Sequence, residues 1–216
     1  MKLISLGNSC KVRESIDRFN NCSQETNMFD WVISNFSSVV KIFNALLNNQ
    51  ENSLFHENQF GNEGVHANNV THYSVNHKYM QFQCIHDVET NRSYESQQSE
   101  FIEKYRRRSR RMRELIQQYP QVIHFIYFFS FKEFIPTIEE MYYFITSVQK
   151  MRGNLPFYVH VLVPPEFHPY RDQINKCIIT NHVKVVFMQS NPTIEPFKEQ
   201  RRDLNWMEYY KLLQSV

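Results

Sequence analysis

The chain has 216 residues, of which 42% are hydrophobic and 15% aromatic, and its formal net charge is +2. This length and composition are typical of one globular α/β domain, and the nearly neutral charge gives no reason to expect a nucleic-acid partner. Only 4 residues are glycine, and neither a phosphate loop nor a dinucleotide-binding motif occurs, which argues against a nucleotide-binding protein.

The cysteines are widely spaced and form no C-x-x-C pair, which argues against a zinc ribbon or a redox motif; they are Cys10, Cys22, Cys84 and Cys177. The N-terminus lacks an apolar run of signal-peptide length, and no stretch reaches about eighteen apolar residues. We therefore expect a soluble, cytoplasmic protein that binds no membrane, no cofactor and no metal, and whose thiols stay reduced.

The chain begins with a short apolar run, Leu3–Leu6, that predicts a buried strand. A helix is predicted from Cys10 to Phe19, because apolar residues recur on one face while Arg13, Asp17 and Arg18 fall on the outward face. A polar loop is expected to follow.

Between this strand and this helix lies the turn Gly7-Asn8-Ser9-Cys10. Backbone N–H groups converge at such a turn, which favours a thiolate and provides donors for an oxyanion. Cys10 is therefore a candidate nucleophile, with Gly7, Asn8 and Ser9 as its oxyanion turn. The alternative is that Cys10 is a small apolar residue packed under the first helix.

An aromatic and apolar block, Met28–Ile33, contains a single carboxylate, Asp30. A carboxylate in such surroundings is costly unless it is paired. Asp30 is a candidate to orient a catalytic imidazole; the alternative is a structural hydrogen bond or a salt bridge to an arginine of the basic helix described below. Capping residues at 34–38 then introduce a helix over 39–47.

Residues 53–100 form an irregular, histidine-rich insertion, which we expect to carry a site because long irregular loops are often functional. Its best-defined strand is Tyr79–Ile85, where apolar and polar residues alternate. Residues 89–99 are expected to be a solvated loop.

Directly after this strand come His86 and Asp87. An imidazole beside a thiol lowers the pKa of the thiol and later protonates the leaving group. His86 is the natural partner for Cys10, and Asp87 is a second candidate orienter beside Asp30. His77 is the alternative base, because a slip of one residue in strand register would exchange the two histidines.

A helix is predicted over 101–118, with one face rich in arginine that includes Arg106, Arg107 and Arg110. This face is either solvated or an anion site for a phosphorylated ligand, a carboxylate or a coenzyme. Acidic residues near both ends of the helix make it weak support for nucleic-acid binding.

The remainder alternates between strands over 122–129, 157–163 and 183–188 and helices over 137–151, 170–177 and 206–213. Such alternation predicts βαβ units and a parallel sheet that includes Leu3–Leu6. We therefore expect a single α/β domain over residues 1–216, with a mostly parallel sheet flanked by helices. Ligands bind such sheets at the carboxyl ends of the strands, and Cys10 follows one of these ends.

Four motifs in this order resemble a family described as putative papain-like cysteine peptidases, found in bacteria and large DNA viruses: Ser5-Leu6-Gly7-x-x-Cys10, Phe29-Asp30-Trp31, His86-Asp87 and Tyr105-Arg106-Arg107. The resemblance covers roughly residues 3–165, and for a viral member it implies the host cytoplasm. It implies a cysteine hydrolase acting on a peptide, glycan or small-molecule substrate. A papain-type protease carries its thiol on a helix and its histidine on a later antiparallel sheet, whereas the C-terminal half here fits a GDSL-like or flavodoxin-like scaffold better.

Gly7-Asn8-Ser9-Cys10 is also similar to the Gly-Asn-Cys turn of a capsule-polysaccharide biosynthesis family, apart from the inserted Ser9. That similarity implies an acyltransferase with a Cys/His pair. Three function classes therefore remain open: a cysteine-dependent acyl-transfer enzyme, a glycosyltransferase-like enzyme with Asp30 as the base, and a non-catalytic interaction module with a buried Cys10.

Overall fold

A computed structural model describes residues 1–7, 10–20, 26–66, 69–129 and 131–189, together with residues 209 and 213. The side chains of residues 10, 11, 66 and 69 lie outside this description. The protein is mixed α/β, with a four-stranded parallel sheet flanked by helices and a second, antiparallel sheet of four strands.

The parallel sheet has the strand order β1-β6-β7-β8, and its strands are β1 (Lys2–Ser5), β6 (Ile123–Phe128), β7 (Phe157–Val163) and β8 (Val183–Phe187). All six residues of β6 are buried, as expected for a central strand covered on both faces. The predicted parallel sheet, including its first strand, is confirmed.

The α-helices of the described residues are α1 (Cys10–Asn20), α2 (Phe36–Leu47), α3 (Glu51–Leu54), α4 (Tyr94–Gln118), α5 (Ile138–Arg152) and α6 (Arg171–Asn175), and helices flank both faces of the parallel sheet. On one face, Phe43 of α2 packs against Phe125 of β6 and Phe144 of α5, with ring centroids 5.6 and 4.5 Å apart. On the other face, Val12 and Ile16 of α1 join a separate apolar cluster. The high aromatic content therefore lies largely in the core.

The antiparallel sheet has the order β2-β5-β4-β3, from β2 (Val32–Ser34), β5 (Phe82–Cys84), β4 (Asn69–His77) and β3 (Phe60–His66). The span 53–100, which the sequence presents as irregular, thus holds three paired strands. Register shifts between Asn62 and His66 interrupt the alternation of buried and exposed residues in β3. A strand is predicted from apolar and polar residues that alternate with a period of two. Because this alternation is interrupted, the sequence pattern does not predict β3 and β4.

Helix α4 begins at Tyr94, seven residues before the predicted start. The Ser93 side chain caps it by accepting a hydrogen bond from the Ser96 N–H. The buried Gln97 side chain donates to the carbonyls of Glu89, Arg92 and Ser93. The part of the predicted loop 89–99 that follows Ser93 is therefore helical, and a polar anchor that apolar periodicity cannot reveal holds its first turn.

The predicted C-terminal helix over 206–213 lies outside the described residues, apart from Tyr209 and Leu213, which are helical and buried. Both belong to the apolar cluster beside α1. None of the helices in the described part of the chain has the length and apolarity needed to cross a bilayer.

Candidate functional site

The turn after β1 approaches the antiparallel sheet so closely that it needs glycine. Gly7 has φ of +87°, and a Cβ added there would lie 2.2 Å from the Ser34 Oγ. The Ser34 hydroxyl donates to the Leu6 carbonyl at 3.2 Å, which ties β2 to the end of β1. Asn8, Ser9 and the side chain of Cys10 lie outside the described residues, so the oxyanion turn stays a prediction.

Cys10 is the first residue of α1, and Arg13 follows one helical turn later, about 4.5 Å along the axis. Arg13 is 3% exposed, so its predicted outward position is wrong. Its Nε donates to Asp17 Oδ2 at 2.8 Å, and its Nη1 donates to Asp30 Oδ2 at 2.5 Å. The ion pair with Asp30 pulls Arg13 into the protein, because a buried guanidinium needs a charged partner.

The Asp30 carboxyl is 1% exposed and accepts two hydrogen bonds on the same oxygen, from Arg13 and from the Asn27 N–H at 2.7 Å. Its other oxygen, Oδ1, has no hydrogen-bond partner among the described residues. Burial raises the pKa of Asp30 to about 6, against the lowering effect of Arg13, the Asn27 N–H and the charge of Arg108. The arginine that pairs with Asp30 therefore lies on α1, the helix that begins at Cys10. The predicted basic helix, α4, affects Asp30 through the charge of Arg108.

Trp31, the residue after Asp30, contacts His86. Strands β2 and β5 pair antiparallel with Val32 opposite Cys84, so the first residue of β2 lies beside the last residue of β5. Trp31 has φ of 66°, a left-handed conformation that is unusual for a bulky residue. Its ring lies edge-to-face with the His86 imidazole, with centroids 5.5 Å apart, and the His72 ring lies 5.9 Å from His86.

Asp87, whose side chain is 7% exposed, contacts α4 with both of its carboxylate oxygens. Arg108 donates to the two oxygens at 3.0 and 3.1 Å, the Tyr105 hydroxyl donates at 2.6 Å, and Lys104 lies 3.3 Å away. These partners lower the pKa of Asp87 despite its burial. Asp87 thus holds the chain after β5 against α4.

His77, the alternative base, uses both ring nitrogens in the last residues of β4. Its Nδ1 accepts from the Tyr79 N–H at 3.2 Å, so Nε2 carries the proton that bonds the Leu54 carbonyl at 3.2 Å. Burial lowers the pKa of His77. These contacts fit a neutral, structural imidazole.

The arginines of α4 differ in what they contact. Arg106 donates to the Phe55 carbonyl at 2.8 Å, and Arg110 pairs with Glu103 at 2.8 Å. Arg107 is exposed to solvent. Two of the three predicted anion-binding arginines therefore contact protein groups, and the anion site stays a prediction.

Sequence reasoning missed two residues of this region, Arg13 and Trp31. The spacing of Arg13 and Asp17 fits a helix-surface ion pair, and no local signal distinguishes such a pair from a buried one. Trp31 was visible only as part of the F-D-W motif. Within the described part of the chain, no group of three or more His, Cys, Asp or Glu side chains is arranged to hold a metal ion.

Comparison with known proteins gives one family. Residues 1–165 match the family described as Putative papain-like cysteine peptidase (DUF1796). No curated protein and no solved structure matches the chain significantly. Because the match covers well over half of the sequence and contains Cys10, Asp30 and His86, the chain belongs to this family of putative papain-like cysteine peptidases.

Proposed function

We propose that the protein is a cysteine-dependent acyl-transfer enzyme in which Cys10 supplies the nucleophilic thiol and His86 the general base. One observation carries the proposal: the first turn of α1, which starts at Cys10, and His86, which follows β5, both contact the segment 30–34. Arg13 binds Asp30, and the ring of the next residue, Trp31, packs on His86.

The arrangement of secondary structure supports the same assignment. Cys10 starts a helix, and His86 follows a strand of a later antiparallel sheet. This is the order that the resemblance to papain-type proteases implies, and here it is combined with a parallel sheet. Cys10 also follows the carboxyl end of β1, the edge at which ligands bind such sheets.

In the proposed reaction, the thiol proton of Cys10 passes to the His86 imidazole, and the sulfur attacks the carbonyl carbon of the acyl donor. The bond from that carbon to the leaving group breaks, and the imidazolium returns its proton to the leaving group. Water, an amine or a hydroxyl group then attacks the thioester with His86 as base, which breaks the carbon–sulfur bond and restores the thiol. N–H groups at the start of α1 would stabilise the oxyanion.

Of the two candidate carboxylates, we assign the orienting role to Asp30. Both oxygens of Asp87 are bonded to side chains of α4, whereas Asp30 Oδ1 has no hydrogen-bond partner among the described residues. The contacts of both His77 nitrogens likewise favour His86 as the base. Substrates of this site carry an acyl group on a nitrogen, oxygen or sulfur leaving group, as in peptides, acylated glycans and thioesters.

The test is the pH dependence of Cys10 alkylation by iodoacetamide, followed by mass spectrometry in a Cys22→Ser background. Two cysteines serve as internal controls, because Cys84 and Cys177 are each 1% exposed. Burial raises the pKa of Cys84 well above its usual range and that of Cys177 to about 11. Labelling of the folded protein below pH 8 therefore reports Cys10.

We expect a labelling midpoint at least one pH unit below the free-cysteine value of about 8.5. The midpoint should return toward that value in His86→Ala and stay low in His77→Gln, which keeps a polar side chain at the structural position. A wild-type labelling midpoint at the free-cysteine value would contradict the proposed pair. A labelling midpoint that stays low in His86→Ala would also contradict it.

A further inference from the structure

The helix that begins at Cys10 contains a buried cation one turn later. Arg13 is 3% exposed and bonds two carboxylates, Asp17 on its own helix and Asp30 in the segment before β2. The pair with Asp17 alone would not require burial, since neighbours four residues apart on a helix surface form the same contact in solvent. Among the described contacts of Arg13, the pair with the buried Asp30 is therefore the one that accounts for its burial.

The Asp30 carboxylate is held unsymmetrically. Both of its hydrogen bonds fall on Oδ2, and Oδ1 is buried without a partner among the described residues. A buried carboxylate oxygen without a donor is costly, and this arrangement is tolerated where the atom has a functional partner. In a thiol enzyme, that partner is the imidazolium that forms when the thiol gives up its proton.

The charges that face Asp30 come from two helices. From α1 come the Arg13 guanidinium and, behind it, the Asp17 carboxylate, and from α4 comes the charge of Arg108. The segment of Asp30 itself contributes the Asn27 N–H. Of the described residues, only Arg13 is both cationic and hydrogen-bonded to Asp30, so it is the group that keeps this buried carboxyl ionised near neutral pH.

We propose that Arg13 is a positioning residue for the Cys10–His86 pair: it holds the Asp30 carboxylate in its charged form, ready for the imidazolium, and fixes the first turn of α1 against the segment that carries Trp31. The inference rests on the proposed function. It assigns to Arg13 a role in charge as well as in packing. The link to the catalytic pair is Trp31, which directly follows Asp30 and whose ring contacts His86. Without Arg13, Asp30 takes up a proton and the imidazolium loses its counter-charge.

The experiment compares Arg13→Met and Arg13→Lys with the wild type in the iodoacetamide assay, again in the Cys22→Ser background. Arg13→Met keeps the apolar stem but removes the charge, so the labelling midpoint of Cys10 should rise by about one pH unit, a tenfold drop in rate below the midpoint. Arg13→Lys restores a cation and should recover most of the rate. Asp30→Asn, with Arg13 intact, should reproduce the shift seen in Arg13→Met.

The matched control is Arg18→Met, which removes an exposed positive charge from the last turn of the same helix. It should leave the midpoint unchanged. Circular dichroism and the melting temperature of each variant report folding separately, because a purely structural ion pair would lower the melting temperature without moving the midpoint. If Arg13→Met does not fold, the comparison of Arg13→Lys with Asp30→Asn decides.

The outcomes separate the two proposals. A low midpoint that depends on His86 but is unchanged in folded Arg13→Met, or that Arg18→Met raises equally, would overturn the role of Arg13 and leave the Cys10–His86 pair standing. A wild-type midpoint at the free-cysteine value would overturn both.

Discussion

Asp30 and Asp87 are both buried carboxylates, and they are held in opposite ways. Asp87 is surrounded by donors from α4, with Arg108, Tyr105 and Lys104 on its two oxygens. Asp30 has both of its bonds on one oxygen. Accordingly, the pKa of Asp87 is lowered and that of Asp30 is raised to about 6.

The difference shows that burial alone does not decide how a carboxyl titrates. Desolvation raises the pKa at both positions. At Asp87 it is outweighed by the charge of Arg108 together with the hydrogen bonds from Arg108 and Tyr105, whereas at Asp30 the charge and hydrogen bond of Arg13 do not outweigh it. A carboxylate with every oxygen bonded is a structural anchor, whereas one with a free oxygen and a pKa near neutrality is suited to a site. Perturbed pKa values cluster at functional sites for this reason.

The largest expected effect lies on the Asp87 side. Arg108→Ala leaves a buried carboxylate with the Tyr105 hydroxyl and a more distant ammonium as its donors. Because breaking a buried ion pair leaves an uncompensated charge, we expect a loss of about 3–5 kcal/mol in the free energy of unfolding, measured by urea denaturation.

Arg107→Ala is the matched control, since Arg107 is the exposed neighbour of Arg108 on the same helix. It should change the free energy of unfolding by about 0.5 kcal/mol or less. Equal losses in the two variants would show that Arg108 does not hold Asp87 in place.

The second effect is a pH dependence of opposite sign at the two carboxylates. The folded-state pKa of Asp30 lies above its unfolded value of 3.8, so the folded state binds more protons between these values and stability falls as pH rises from 4 to 6. The unfolding free energy of the wild type minus that of Asp30→Asn should therefore fall by about 2 kcal/mol between pH 4 and 6, and by about 3 kcal/mol from well below pH 3.8 to well above pH 6, at about 1.36 kcal/mol per pKa unit.

For Asp87, the lowered pKa stabilises the fold above the unfolded value of 3.8, and this contribution is lost as the pH falls through the folded pKa. The difference between the wild type and Asp87→Asn should therefore be flat between about pH 5 and 7 and decrease below about pH 5. Urea denaturation at a series of pH values measures both curves. Parallel curves for Asp30→Asn and Asp87→Asn would remove the contrast between the two groups.

The third effect concerns the close approach of Gly7 to Ser34, where β2 is tied to the end of β1. Gly7 and Gly64 both have positive φ, +87° and +97°, but only Gly7 has a neighbour where a Cβ would lie. Gly64→Ala should destabilise by about 1 kcal/mol through backbone strain, and Gly7→Ala by about 1–2 kcal/mol more through contact with Ser34. Thermal denaturation of the two variants measures the difference.

Adding Ser34→Ala to Gly7→Ala removes the hydroxyl that the new Cβ would meet. The double variant should recover part of the additional loss, which a double-mutant cycle reports as coupling between the two positions. Equal melting temperatures for Gly7→Ala and Gly64→Ala would mean that β2 moves away from the turn without cost.

Local patterns in the sequence were sufficient for much of the fold. The apolar runs of β6 and β7 and the helical periodicity of α5 are properties of neighbouring residues, and the structure confirms them with small shifts at their ends. The hairpin of β3 and β4 was missed because bulges interrupt its alternation. The early start of α4 was missed because polar side chains hold its first turn.

The sequence by itself determined the alternation of strands and helices, the cysteine at a strand–helix turn and the family to which the chain belongs. Tertiary structure decided the environment of each charge: Arg13 turned inward to meet Asp30, 17 residues away, and Asp87 met Arg108, 21 residues away. Hydrophobic periodicity depends on contacts within one element and can be read locally. The state of a carboxylate depends on donors brought from distant elements, and only the folded chain assembles them.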